Sequence, residues 1–75
     1  MKSLTWDNAE GLGRALHKVH PEIDPLRVRF TDLHQWVTQL PEFQDDPHAS
    51  TEAQLEAIQM AWHEEWQAGL EENNN

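Results

Sequence analysis

Cysteine is absent from this 75-residue chain. Disulfides, a thiolate nucleophile and a metal cluster held on thiolates are therefore excluded. Long apolar runs are missing as well: nothing approaches the roughly 20 residues that a membrane-spanning helix requires. The opening Met1-Lys2-Ser3-Leu4-Thr5-Trp6 lacks the apolar stretch of a secretory signal. A soluble, intracellular protein is expected. Basic residues are scarce, five Lys and Arg against fourteen Asp and Glu, for a formal charge of −9. Nucleic acid and anionic membranes would repel such a surface, because phosphate binding depends on basic clusters. Acidity also has a plainer meaning, that of keeping a small protein soluble. Finally, the chain has no nucleophile-and-base arrangement, no phosphate-cradling glycine loop and no closed metal triad, so it is not expected to be an enzyme.

What is present fits one small helical domain over residues 1–70, followed by a disordered acidic and asparagine-rich tail at 71–75. A core this small is only marginally sufficient, and four tryptophans with two phenylalanines help to fill it. A first helix is expected from near Asp7, where Asp7 and Glu10 have capping-box spacing, to just before Pro21. Ala9, Leu12, Leu16 and Val19 form its inward stripe. Gly11 and Gly13 either permit close packing against another helix or mark a frayed first turn. Asp24 before Pro25 places a good cap ahead of a good first helical residue, which predicts a single helical turn. Val28 and Phe30 alternate with Arg27 and Arg29, as in a short extended piece. The last helix should begin at Ser50 or Thr51, with Thr51 and Gln54 in capping-box spacing. Leu55, Ile58, Trp62 and Trp66 make its stripe.

Between these lies the most informative segment. Thr31 is placed to cap a central helix running roughly Asp32 to Leu40, and Asp32 then complements the dipole of its first turn. Leu33, Trp36, Val37 and Leu40 make one apolar stripe, with Asp32, Gln35 and Gln39 on the other side. Pro41 stops the helix, and Asp45-Asp46-Pro47 makes a turn whose carboxylates face solvent. With Glu42 nearby, that turn reads either as an oxygen-rich surface for a hard cation or basic partner, or as an ordinary solvated turn. The acids do not have the spacing of an EF-hand loop, so any metal site would be open, water-rich and weak. Trp36 and Trp62 belong to the core, Phe30 and Phe43 clamp the ends of the central helix, and Trp6 acts as a hydrophobic staple for the first helix. His17 and His20 have a spacing that suits zinc or iron, but without a third ligand they read better as a solvated pair at a helix C-terminus. His34 either hydrogen-bonds backbone or stays in solvent.

These residues closely resemble a known family. Trp6-Asp7, Asp24-Pro25, the run Val28 to Val37, the run Phe43 to Ser50, and Leu55-Glu56-Ala57-Ile58 with Ala61-Trp62 are similar, in that order, to the IscX (YfhJ) family of small acidic accessory proteins of bacterial iron–sulfur cluster assembly. The resemblance runs from about Trp6 to Trp66. It implies a mainly α, compact helical fold resembling a modified winged helix, with short extended segments. It also implies a cytoplasmic, monomeric, non-catalytic adaptor that binds the cysteine desulfurase of that pathway, in competition with other acidic proteins such as frataxin, and that binds iron weakly without holding a cluster. By matching position, Asp24, Asp32, Asp45 and Asp46 are the implied iron ligands. The same four with Glu22, Gln35 and Glu42 form the implied partner face. The alternative is an acidic interaction module of the same pathway with no metal role. Gly11, Arg14, His17 and Lys18 make the first helix less acidic than the family pattern, which leaves Asp24 to Asp46 as the expected docking segment.

Overall fold

Every regular element of the computed structural model, which describes residues 3–73 apart from the side chains of 71–73, is helical. Helix α1 spans Ala9–Val19, a 3₁₀ turn spans Pro25–Arg27, α2 spans Phe30–Thr38 and α3 spans Glu52–Asn73. The mainly helical fold class is as expected. Extended pairing among the described residues is confined to one isolated parallel bridge, Leu4 to Phe43, with no β-hairpin of the kind a winged helix carries. No described helix is long and apolar enough to cross a membrane.

The start of α1 differs from the sequence expectation. Asn8, not Asp7, is the cap: its side-chain oxygen accepts the Gly11 N–H at 3.2 Å. Asp7 is drawn across to α3, where it accepts a hydrogen bond from Gln54 Nε2 at 2.9 Å. The α1 stripe also shifts, with Leu12, Gly13, Ala15 and Leu16 buried while Val19 is 56% exposed. The cause is α3, which shares the largest interface with α1 and lies with its backbone close against Gly13. Contacts advance together along both helices, from Asp7–Gln54 through Gly13–Trp62 and Arg14–Glu65 to His17–Gly69, so α1 and α3 run side by side in the same direction. Val19, the last α1 residue, lies off this interface.

The 3₁₀ turn forms as its sequence predicts. Asp24 accepts the Leu26 N–H at 3.0 Å, Pro25 takes the first position and is buried, and Gln59 of α3 donates to the Pro25 carbonyl at 2.9 Å. Val28 and Arg29 are extended, but Phe30 already belongs to α2. Thr31 is therefore not the cap. The cap position falls on Arg29, whose side chain makes no capping bond, and the first α2 bond runs from Leu33 N–H to the Arg29 carbonyl at 2.8 Å. Packing of Phe30 against the core starts the helix one residue before the polar signal. It ends at Thr38, with Leu40 continuing as a turn that returns its N–H to Val37.

At the start of α3 the expected capping box is complete: Thr51 N–H donates to Gln54 Oε1 at 3.0 Å, and Gln54 N–H donates to Thr51 Oγ1 at 3.2 Å. Leu55, Ile58 and Trp62 are buried, and Trp66 is half-buried. Helix α3 continues three residues past 70, to Asn73; the remainder of the expected tail, residues 74–75, lies outside the described residues. The fully buried centre is Trp62 with Leu12, Leu16, Leu33, Val37 and Ile58, and Trp36, Phe30 and Phe43 pack against it half-exposed.

Candidate functional site

The acidic turn after α2 is braced from behind by two aromatic rings. Leu4 and the chain at 42–44 pair as a bridge, Leu4 N–H to the Glu42 carbonyl and Gln44 N–H to the Leu4 carbonyl, each at 2.8 Å. That pairing carries Trp6 beneath the turn. The Trp6 ring is buried, and its indole N–H donates to the Asp46 carbonyl at 2.7 Å. It stacks on His34 with ring centres 5.3 Å apart and meets Phe43 edge-on at 4.8 Å. His34 in turn donates from Nε2 to the Pro47 carbonyl, so α2 is tied to the same turn. Of the two roles open to His34, the backbone hydrogen bond is the one formed. Trp6 is a core residue, but not a staple for α1: with Asn8 as cap, it lies outside the position a staple requires, and its ring serves the turn instead.

The carboxylates of this turn do local work as well as facing solvent. Asp45 accepts the Trp6 N–H at 3.1 Å on Oδ2 and the Asp46 N–H at 2.8 Å on Oδ1, while Asp46 accepts the His48 N–H at 2.9 Å. Both side chains remain exposed, so each hydrogen-bonded carboxylate still presents free lone pairs outward. This is a rigid display of two negative charges.

The other expected residues are distributed as follows. Asp32 is exposed in the first turn of α2, two residues before His34, and Gln35 is exposed further along that helix. Residues one or two apart on a helix face different sides, so the His34 bond to the Pro47 carbonyl does not itself bring Asp32 or Gln35 to the turn. Asp24 is half-buried, committed to its 3₁₀ turn and 3.9 Å from Arg27 Nε, which offsets part of its charge. Glu22 is exposed in the preceding connector. Glu42 is exposed, but it lines a groove beside α1. Among the described residues no group of three or more His, Asp or Glu side chains is arranged to hold a metal ion.

The histidine pair on α1 is not a solvated pair. His20 stacks on Trp36, with ring centres 4.4 Å apart, and His17 packs toward Gly69 of α3 with a buried Nδ1 that has no hydrogen-bond partner. The end of α1 is covered by two other helices, and that coverage separates the two imidazoles. Sequence reasoning missed the bracing role of Trp6 and, while it offered His34 a backbone hydrogen bond, it did not name the turn as its partner. A tryptophan in a polar opening segment and a histidine on an otherwise polar helix side were the available signals.

A family model described as "Iron-sulphur cluster assembly" matches residues 4–67, which include the bridge, Trp6, His34 and the whole acidic turn. The chain belongs to this family, that of IscX and YfhJ. An uncharacterized protein of Pseudomonas aeruginosa is 51% identical over 63 residues, covering 84% of this chain and 96% of that relative. Membership places the protein in iron–sulfur cluster assembly.

Proposed function

We propose that this protein is a non-catalytic, cytoplasmic adaptor that docks on the cysteine desulfurase of the assembly pathway and adjusts cluster formation according to iron. The braced turn carries this reading. Asp45 and Asp46 are held in place by Trp6 and His34 before any partner arrives, so little conformational entropy is lost when they meet a basic patch. With a formal charge of −9, the protein's own field would steer it toward such a patch, an effect that weakens as salt rises. Asp32 and Gln35 extend the docking face along α2. Asp24, partly offset by Arg27, contributes less.

Iron in this reading is taken up weakly on exposed carboxylates, with water completing its shell, because a hard cation prefers oxygen ligands. Bound iron would neutralise charge on the docking face and so link metal level to desulfurase affinity. Without cysteine the protein neither holds a cluster on thiolates nor accepts a persulfide.

The test is the affinity for purified cysteine desulfurase at low and moderate salt, with and without ferrous iron. Asp46→Asn is the cleaner variant, since asparagine keeps an acceptor for the His48 N–H, whereas Asp45→Asn keeps only one of two accepted bonds. Each variant is expected to weaken binding by about three- to tenfold at low salt and less at high salt. Binding indifferent to both salt and substitution would move the interface elsewhere. Salt-sensitive binding that iron leaves unchanged would leave an acidic interaction module with no metal role.

A further inference from the structure

Between the start of α2 and the start of α3, joined to the braced turn through His34, lies an open pocket of about 380 Å³. Phe30 and His34, four residues apart, wall it from α2, and Thr31 stands beside them. Glu52 and Leu55 close it from the first turn of α3, whose start is held by the Thr51–Gln54 capping box. Leu55 is buried core and serves as floor, whereas Phe30 and His34 are half-buried and Thr31 and Glu52 are exposed. The His34 wall is fixed before anything binds, by its stack on Trp6 and its bond to the Pro47 carbonyl.

The polar groups of this lining share one character. A carbonyl only accepts, so the His34 Nε2 that meets Pro47 carries the proton, and Nδ1 of the neutral ring is an acceptor. The Glu52 carboxylate only accepts, and the Thr31 hydroxyl accepts as well as donates. No lysine or arginine lines the pocket, and Glu52 has no cationic side chain within 4.0 Å among the described residues. The two helix starts add about half a positive charge each, against the full charges of Asp32 and Glu52 in their first turns, so the balance stays negative. We infer that the pocket takes the side chain of one arginine from the basic surface of a partner protein. Its methylenes lie on the Phe30 ring and Leu55, and its guanidinium, with five donors and no acceptor, faces Glu52, Thr31 and His34. An anionic side chain would meet Glu52 with no cation to answer it, and an aliphatic one would leave the acceptors unpaired. The partner's identity as the desulfurase rests on the adaptor reading, which this pocket deepens; the preference for arginine rests on the lining alone.

The test has two arms. Isotope-labelled protein is titrated at about 0.15 M salt with acetyl-Gly-Arg-Gly-amide, and with the same peptide carrying citrulline, which keeps the shape and removes the charge. The arginine peptide should shift the NMR signals of Phe30, Thr31, His34, Glu52 and Leu55 with a Kd on the order of 1–10 mM, and the citrulline peptide should bind at least about threefold more weakly. Equal binding of the two peptides, shifts centred elsewhere, or no shifts with peptide in the tens of millimolar would overturn the assignment. In the second arm, Glu52→Gln and Thr31→Val, both close in shape to the residues they replace, should each weaken desulfurase binding by about three- to tenfold. Glu64→Gln, an equal loss of charge at an exposed α3 residue outside the pocket, should change it by less than about twofold. Should Glu52→Gln behave like Glu64→Gln while Asp46→Asn still weakens binding, the pocket falls and the acidic turn stands. Should the protein not bind the desulfurase at all, the adaptor reading falls and the peptide arm decides the pocket by itself.

Discussion

Replacing Gly13 by alanine probes a close backbone approach between α1 and α3. A Cβ at this position would stand 2.7 Å from the backbone nitrogen of Trp62, 2.9 Å from the carbonyl carbon of Ala61 and 3.0 Å from Ala61 Cβ. Backbone atoms inside a helix have no rotamer through which to withdraw. Ordinary contact between such atoms is about 3.5–4.0 Å, so the two helices must part by roughly 0.5–1 Å, enough to forfeit a quarter to a half of the dispersion energy of the contacts lining the gap. That gap opens among the best-packed side chains of the molecule, Leu12, Leu16, Ile58 and Trp62, all fully buried. Overpacking of this kind costs about 1–3 kcal/mol. Alanine returns at most about 1 kcal/mol in helix propensity. The net loss is about 0–2 kcal/mol, which for a domain of this size lowers Tm by up to about 15 °C. Gly69→Ala is the matched control, because its Cβ would meet only the His17 ring, at 3.4 and 3.6 Å. There the propensity gain is unopposed, and stability should rise by up to about 1 kcal/mol. Thermal and urea unfolding followed by far-UV circular dichroism measures both. Should Gly13→Ala be stabilised as much as Gly69→Ala, the close crossing of α1 and α3 is refuted.

Trp6→Phe should be more destabilising than Trp62→Phe by about 1–2 kcal/mol, since the Trp6 indole N–H is bonded to the Asp46 carbonyl while the buried Trp62 Nε1 has no partner to lose; urea midpoints compare them. Thr51→Ala should cost about 1 kcal/mol, and a double-mutant cycle with Gln54→Ala should show coupling, because the two side chains cap each other's N–H groups. Glu65→Gln should cost less than about 1 kcal/mol, and no more at high salt, because its partner Arg14 is largely exposed. Asp46→Asn should leave the unfolding transition within about 0.5 kcal/mol of wild type while weakening desulfurase binding, which separates surface charge from fold.

Local rules succeeded where a short stretch supplies both partners of an interaction. Asp24-Pro25 starts its turn, Thr51 and Gln54 cap each other, and of the stripe Leu33, Trp36, Val37 and Leu40 all but the half-exposed Trp36 are buried. They erred where a distant residue competes. Asp7 and Glu10 have the spacing of a cap, but Gln54, 47 residues away, takes the Asp7 carboxylate. Thr31 has the chemistry of a cap, but burial of Phe30 begins the helix earlier. Gly11 and Gly13 could not be resolved from sequence as packing sites or frayed ends, since the neighbours that decide, Leu4 and Trp62, come from other elements.

The candidate site divides the same way. Its acids, their turn, their neighbouring helix and the family to which they belong were set by the order of residues along the chain, as was the exclusion of thiolate chemistry. Tertiary structure alone decided that Trp6 lies under the turn, that His34 ties α2 to Pro47, and that His17 and His20 part company against different partners. Sequence spacing determines what a residue meets within one helical turn or one loop. What it meets 40 residues away depends on how three helices share a single small core.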